Sequence, residues 1–260
     1  NQKLARRLAL GTAQFGMHYG VANRVGRPSM AEVESILDLA RGAGIDLLDT
    51  AVSYSESEAI LGQIGIAGWR VVSKVPASFN PETDSLTNLV EGCLKRLRIH
   101  SLHGLLLHDA NLLLGPMGAR MQTELSSVLD EGLVDRIGVS VYSPDLLQPL
   151  IDALPLGIVQ APLNLLDQRM LSSGWIERLY SLGIEFYARS VFLQGVLLIP
   201  PDRLPQQFQR HIDQFIRLQS LRDQSGCSAI SSCLAFVLGQ PGLTRAIVGV
   251  DSASQLQDIL

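Results

Sequence analysis

Five short hydrophobic runs in this chain each end in a polar or ionisable residue. Short apolar runs bounded by turn signals are typical of parallel strands that are buried on both faces. The carboxyl ends of such strands meet on one side of an α/β barrel, so the residues that end these runs are predicted to share one mouth. They are Asp49, Lys74, His108, Ser140 and Gln160. The pattern indicates an enzyme.

Strand-like and helix-like segments alternate along the whole chain. Eight strands are predicted, at Leu8–Leu10, Ile45–Leu48, Val71–Lys74, Gly104–Leu107, Ile137–Val139, Ile158–Gln160, Ile184–Tyr187 and Ala246–Val248. Helical spacing is found at Met30–Gly42, Leu86–Leu97, Met121–Glu131, Ser173–Leu182 and around His211–Gln224. Eight strand–helix units predict an α/β fold, a closed (β/α)8 TIM barrel, as a single domain over residues 1–260. A doubly wound open sheet is the alternative, but the glycines of Gly11–Gly26 lack the spacing of its phosphate-binding loop.

Charge and composition narrow the partners of the chain. A net charge of −4 without any basic run gives no support for nucleic-acid binding. No apolar stretch approaches the ~20 residues of a membrane span, and no signal peptide is visible. The cysteines, Cys93, Cys227 and Cys233, are odd in number and lack metal-ligand spacing, which predicts a reduced, cytoplasmic setting and no metal. Cys227 and Cys233 are predicted to share one helix. The oligomeric state is not visible in the sequence.

Asp49, Lys74, Tyr54 and His108 form a set suited to carbonyl chemistry. An isolated buried ammonium is costly, so Lys74 needs a counter-charge, and Asp49 is its natural partner. A phenol with a pKa near ~10 is a weak acid at neutral pH, and a nearby ammonium stabilises its phenolate. Tyr54 beside Lys74 can therefore donate a proton to a developing alkoxide, while His108 can orient the carbonyl oxygen. For Asp49 and Lys74 alone, a structural ion pair is an equal alternative.

These residues lie in motifs through which the chain resembles the aldo-keto reductase family along its whole length. The family's catalytic Asp, Tyr, Lys and His are matched by Asp49, Tyr54, Lys74 and His108. The resemblance implies NAD(P)H-dependent reduction of a small aldehyde or ketone to an alcohol, with Tyr54 as the general acid. The motifs are Leu10–Gly16, Leu48–Ala51 with Tyr54, Ser57–Gly62, Val72–Lys74, Leu106–His108 and Ile137–Ser140.

The resemblance also implies a nicotinamide cofactor bound in an extended pose without a Rossmann loop. Ser140 and Gln160 match the residues that hold the carboxamide, and Arg189 stands where an aromatic ring commonly stacks on the nicotinamide. The other cofactor residues that the resemblance implies are Gly11, Thr12, Ser190, Leu193, Gly195 and Gly249. Val141 replaces an Asn that often follows the Ser, and Asn164 either supplies that contact or caps a turn.

The family pattern weakens after the last strand. Members that prefer NADPH place basic residues there for the 2′-phosphate, whereas this chain has Val250, Asp251 and Gln255. Phosphate recognition needs Arg or Lys, and Asp251 would repel it. NADPH is the family default, and NADH is left open.

Two other functions are alternatives. A barrel aldolase would use Lys74 as a Schiff-base lysine, which must be neutral to react, whereas Asp49 favours the cation. A non-catalytic nicotinamide-binding sensor or partner subunit would keep the cofactor site without turnover. The substrate cannot be read, because its pocket is predicted to be lined by loops around Met17–Tyr19, Asn111–Arg120 and Val191–Pro205.

Overall fold

Eight parallel strands pair in chain order, and the first pairs with the eighth to close a barrel. The structure, a computed structural model, describes residues 2–23 and 26–260, with side chains from residue 4 onward. The strands are Leu8–Gly11 (β1), Leu47–Asp49 (β2), Arg70–Val75 (β3), Gly104–Leu107 (β4), Ile137–Ser140 (β5), Ile158–Pro162 (β6), Glu185–Arg189 (β7) and Leu243–Gly249 (β8). The predicted (β/α)8 TIM barrel is confirmed, and the open sheet is excluded.

Helices lie between the strands. They are Gln2–Ala5 (α1), Ala13–Gly16 (α2), Met30–Ala43 (α3), Ser57–Ile64 (α4), Leu86–Leu97 (α5), Asn111–Leu114 (α6), Gly118–Asp130 (α7), Leu147–Ala153 (α8), Arg169–Ser172 (α9), Trp175–Ser181 (α10), Ile212–Ser225 (α11), Ala229–Leu238 (α12) and Ala253–Ile259 (α13). Short 3-10 turns occur at Pro144–Leu146, Val196–Leu198, Pro201–Arg203 and Gln206–His211. None of the described helices is long and apolar enough to cross a membrane.

Local capping explains why α3 and α5 lie close to where the sequence predicts them. The Ser29 hydroxyl accepts a hydrogen bond from the Glu32 amide, and Gly44 ends α3 with a φ of 97°, which glycine adopts without strain. Ser85 caps α5 in the same way. The structure corrects one helix: Cys227 is not in the helix of Cys233, because Gly226 (φ 66°) ends α11 before it and Ser228 caps the start of α12 after it.

The barrel interior holds a separate apolar layer. It consists of Ala9, Leu47, Val72, Leu106, Ile158, Tyr187 and Ile247. Side chains along a strand alternate between its two faces, so the residue two positions further on points to the same interior. Those positions are Gly11, Asp49, Lys74, His108, Gln160, Arg189 and Gly249. The apolar layer therefore fills the barrel interior directly beneath the predicted site residues.

Candidate active site

A cavity of about 490 Å³ opens at the carboxyl ends of the strands. Ten of the predicted site residues line it: Gly11, Thr12, Asp49, Tyr54, His108, Gln160, Arg189, Ser190, Gly195 and Gly249. The others, Lys74, Ser140 and Leu193, are not part of the lining. The volume lies within the range of small-molecule and cofactor sites, roughly 300–1,000 Å³.

Lys74 and Asp49 form a buried ion pair next to the cavity. The Lys74 Nζ donates to both carboxylate oxygens of Asp49 and to the Thr50 carbonyl oxygen, each at 2.8 Å. These three acceptors match the three N–H donors of an ammonium. Lys74 is 1% exposed and Asp49 is 4% exposed. Burial by itself lowers the pKa of Lys74, but the Asp49 carboxylate and the nearby phenol more than offset this, so the pKa is raised and Lys74 stays cationic.

Tyr54 brings a phenol into the cavity beside this ion pair. The Lys74 Nζ lies 5.1 Å from the centre of the Tyr54 ring. The ring of His108 stands edge-on to Tyr54, with centroids 6.4 Å apart and an interplanar angle of 72°. Tyr54 and His108 line the cavity whereas Lys74 does not. A ligand in the cavity therefore contacts the phenol of Tyr54 and the imidazole of His108. The Lys74 ammonium lies behind these two rings and acts on the ligand through its charge.

The turn that carries Tyr54 is fixed by close backbone packing. Ser55 adopts a left-handed φ of 51°, and α4 begins two residues later. The Ser57 hydroxyl lies 2.9 Å from both the carbonyl oxygen and the hydroxyl of Thr12, and the Thr12 hydroxyl donates to the Asp49 carbonyl oxygen (3.1 Å). A Cβ at Gly16 would lie 1.9 Å from the Tyr54 carbonyl oxygen. Gly16 and Ser57 belong to the motifs of the resemblance, and in the structure their contacts hold the turn that carries Tyr54.

His108 is held in its neutral form. Burial, followed by the charge of Lys74, lowers the pKa of His108 to about 4. A neutral imidazole has one N–H donor and one acceptor nitrogen. At neutral pH the ring can therefore donate a hydrogen bond to a ligand oxygen without adding a second positive charge beside Lys74.

We expect the His108 ring to titrate near pH 4, well below the pKa of about 6.5 of an ordinary imidazole. NMR of ring-labelled protein, with His108→Gln to assign the signal, measures this midpoint. Because the folded pKa lies below the unfolded value, the contribution to stability is complete above about pH 6.5 and is lost as the pH falls toward 4. A midpoint at or above 6.5 would contradict the proposed environment.

Gln160 and Ser140 are linked to the ion pair. The Gln160 Nε2 donates to the Asp49 Oδ1 at 2.7 Å, and the Ser140 hydroxyl donates to the Gln160 Oε1 at 3.4 Å. Gln160 lines the cavity, while Ser140 is buried behind it. The Gln160 amide therefore holds Asp49 in place and still reaches the cavity.

Arg189 lies at the end of β7 and stacks on Tyr142. Its guanidinium carbon is 4.1 Å from the Tyr142 ring centre, and its Nη2 donates to the Val141 carbonyl oxygen at 3.3 Å. Asn164 takes the turn-capping role: its Oδ1 accepts from two backbone amides and its Nδ2 donates to the Ser190 carbonyl oxygen. Tyr142 was missed by the sequence because it follows the strand end by two residues, in a loop without a motif.

Two loops meet over the cavity. The Gln194 carbonyl oxygen accepts hydrogen bonds from Val21 (3.1 Å) and Ala22 (3.4 Å), and a Cβ at Gly195 would lie 2.6 Å from that of Ala22. Ser190, Leu193 and Gln194 adopt left-handed φ values of 57°, 49° and 55°. Strained backbone of this kind clusters at ligand sites.

The predicted lining loops are partly corrected. Met17, Tyr19 and the segment after β7 line the cavity, but residues 111–120 do not, because they form α6 and the start of α7. The sequence also missed the lining residues Asn23 and Asp258. In the described part of the chain there is no cluster of His, Cys, Asp or Glu that could hold a metal ion.

Comparisons with known proteins agree with this geometry. A family model described as "Aldo/keto reductase family" matches residues 7–260. L-glyceraldehyde 3-phosphate reductases of two Escherichia coli strains, O157:H7 and K12, are each 25% identical over 158 residues. These matches cover 52% of this chain and only 46% of each relative.

Solved structures share the fold. The aldo-keto reductase AKR11C1 from Bacillus halodurans, in its holo form, matches 97% of this chain and 85% of its own, with a TM-score of 0.78 and 17% identity. The glycerol dehydrogenase AKR11B4 from Gluconobacter oxydans matches 98% of this chain and 86% of its own, with a TM-score of 0.72 and 22% identity. At these identities the likeness concerns the barrel itself.

Proposed function

The chain belongs to the aldo/keto reductase family, and we propose that its cavity is the active site of an NAD(P)H-dependent reductase that converts an aldehyde or ketone to an alcohol. One observation carries the proposal. Tyr54 lines the cavity 5.1 Å from a buried, charged Lys74 and beside a neutral His108. This places a proton donor, a fixed positive charge and a hydrogen-bond donor around one point.

The residues of the cavity fit a nicotinamide dinucleotide. When bound, the nicotinamide supplies the hydride that carbonyl reduction needs. We propose that Gln160, with Ser140 behind it, contacts the carboxamide and that Arg189 lies against the ring. Gly11 and Gly249 pair in register and both line the cavity, and the Gln14 side-chain amide lies where a Cβ at Gly249 would stand. The remaining proposed contacts are Thr12, Ser190, Leu193 and Gly195.

In the proposed reaction, Tyr54 is the general acid. Its hydroxyl gives its proton to the carbonyl oxygen as negative charge develops there. Lys74 stays protonated and stabilises the phenolate that is left. The Asp49 carboxylate balances the positive charge of Lys74 in the buried site, and the hydrogen bond from Gln160 keeps Asp49 in position. The N–H of His108 donates to the same carbonyl oxygen and orients it.

Substrate and setting are proposed only as classes. The relatives named for L-glyceraldehyde 3-phosphate match this chain over less than half of their length, so the proposal stays with small aldehydes and ketones. The three cysteines are free, which supports a reducing, cytoplasmic setting.

Calorimetric titration with NADPH and with NADH, followed by assay of aldehyde-dependent cofactor oxidation, tests the proposal. Calorimetry is preferred to quenching of Trp fluorescence, because neither Trp69 nor Trp175 lines the cavity. We expect binding and turnover. Binding without turnover over many carbonyl compounds would instead support a sensor or partner subunit. The aldolase alternative requires a neutral lysine, so we expect no trapping of Lys74 by borohydride.

A further inference from the structure

We propose that Asp251 makes this site select NADH over NADPH by accepting hydrogen bonds from the adenosine ribose. The inference rests on the proposed function, since it concerns the same cofactor. It also departs from the NADPH preference that the family resemblance favours.

The cavity has two ends of different character. Tyr54 and His108 mark the end at which a carbonyl can be reduced. The other end is formed by the segment after β8 and by α13, where Asp251, Gln255 and Asp258 line the wall. A dinucleotide with its nicotinamide at the first end therefore directs its adenosine half toward the second.

The described side chains at the adenosine end carry negative charge. Among the described residues that line the cavity, Arg189 is the sole Lys or Arg, and it lies on β7 against Tyr142. Among the described lining residues, the carboxylates are Asp49 in the ion pair, Asp251 in the segment after β8 and Asp258 on α13. Of the described residues, His18 is a further titratable group that acts on Asp251, and its Nε2 lies 3.2 Å from the Asn23 carbonyl oxygen. A 2′-phosphate at this end would face carboxylates where it needs guanidinium or ammonium groups.

Asp251 is held in a fixed position. Its backbone N–H donates to the Gln255 Oε1 at 2.8 Å, and its Oδ1 accepts from the Asn23 Nδ2 at 3.0 Å. A carboxylate can accept several hydrogen bonds. Burial, as the largest effect, raises the pKa of Asp251, so hydroxyl donors from a ligand would stabilise its charged form. The 2′-hydroxyl of NADH is such a donor, and Asp or Glu binds it in other dinucleotide sites.

Calorimetric titration of NADH and NADPH against wild type, Asp251→Asn and Asp251→Arg tests the inference. We expect wild type to bind NADH at least about tenfold more tightly than NADPH, given the cost of like charges in contact. Asp251→Asn should reduce the difference between the dissociation constants of NADH and NADPH. Asp251→Arg should reverse the preference, so that NADPH binds more tightly than NADH. Asp213→Asn removes the same charge from the exposed face of α11 and should leave the ratio unchanged.

The outcomes separate the two proposals. If neither cofactor binds wild type, the reductase proposal fails and takes this inference with it. Equal or tighter binding of NADPH overturns the selection by Asp251 and leaves the reductase proposal standing. A preference for NADH that survives unchanged in Asp251→Asn also overturns it, because the selection would then come from other residues.

Discussion

Replacing Tyr54 by phenylalanine is expected to lower kcat for aldehyde reduction roughly 100- to 10,000-fold, the usual contribution of a positioned general acid. The ring and its packing against His108 remain, so the dissociation constant of the cofactor should change by less than about threefold. The loss should appear in kcat and in kcat/KM alike, since the proton is transferred only in the transition state.

Tyr180→Phe is the matched control for this experiment. Tyr180 lies on α10, is 71% exposed and does not line the cavity. The same chemical change there should leave kcat unaltered. If Tyr54→Phe kept more than about a tenth of the wild-type kcat while Tyr180→Phe was neutral, the phenol would not be the acid.

Replacing Lys74 by methionine is expected to abolish turnover and also to destabilise the fold. The change leaves the Asp49 carboxylate buried, and among the described side chains the Gln160 amide is then its one remaining donor. Breaking a buried ion pair in this way costs about 3–5 kcal/mol, which urea unfolding measures as a lower transition midpoint. Activity at temperatures where the variant stays folded should still be lost, because the phenolate of Tyr54 would have no cation beside it.

The double variant Lys74→Met, Asp49→Asn separates a structural role from a chemical one. The asparagine side chain that replaces the carboxylate would still offer an oxygen to the Gln160 Nε2 but would carry no buried charge, so much of the lost stability should return. Turnover should not return. A double variant that is stable and active would show that the pair merely supports the barrel.

The periodicity of the strands explains why so much of the fold and site could be predicted. Leu47 and Asp49, or Leu106 and His108, stand two residues apart, so burial of the first in the barrel directs the second into the mouth. A run of apolar residues that ends in a polar one therefore reports both a strand and a site. The set of strand-end residues could be found without coordinates for this reason.

The loops could not be predicted in the same way. The contact of Ala22 with Gly195, the stack of Arg189 on Tyr142 and the bond from Asn23 to Asp251 each join segments far apart in the chain. No local pattern encodes such pairs, because they depend on how the barrel brings the strand ends together. The prediction that Cys227 shares the helix of Cys233 was wrong because the Ser228 hydroxyl caps α12 after Cys227.

Transfer of deuterium from NADH dideuterated at C4 of the nicotinamide tests the central claim most directly. Wild-type protein is incubated with this cofactor and a small aldehyde, and the alcohol is analysed by mass spectrometry and NMR. We expect one deuterium on the carbinol carbon with wild type, and almost no alcohol with Tyr54→Phe at matched cofactor occupancy. Alcohol without deuterium, or no alcohol from a fully cofactor-bound wild type over a broad aldehyde panel, would contradict the assignment of this cavity as a carbonyl reductase site.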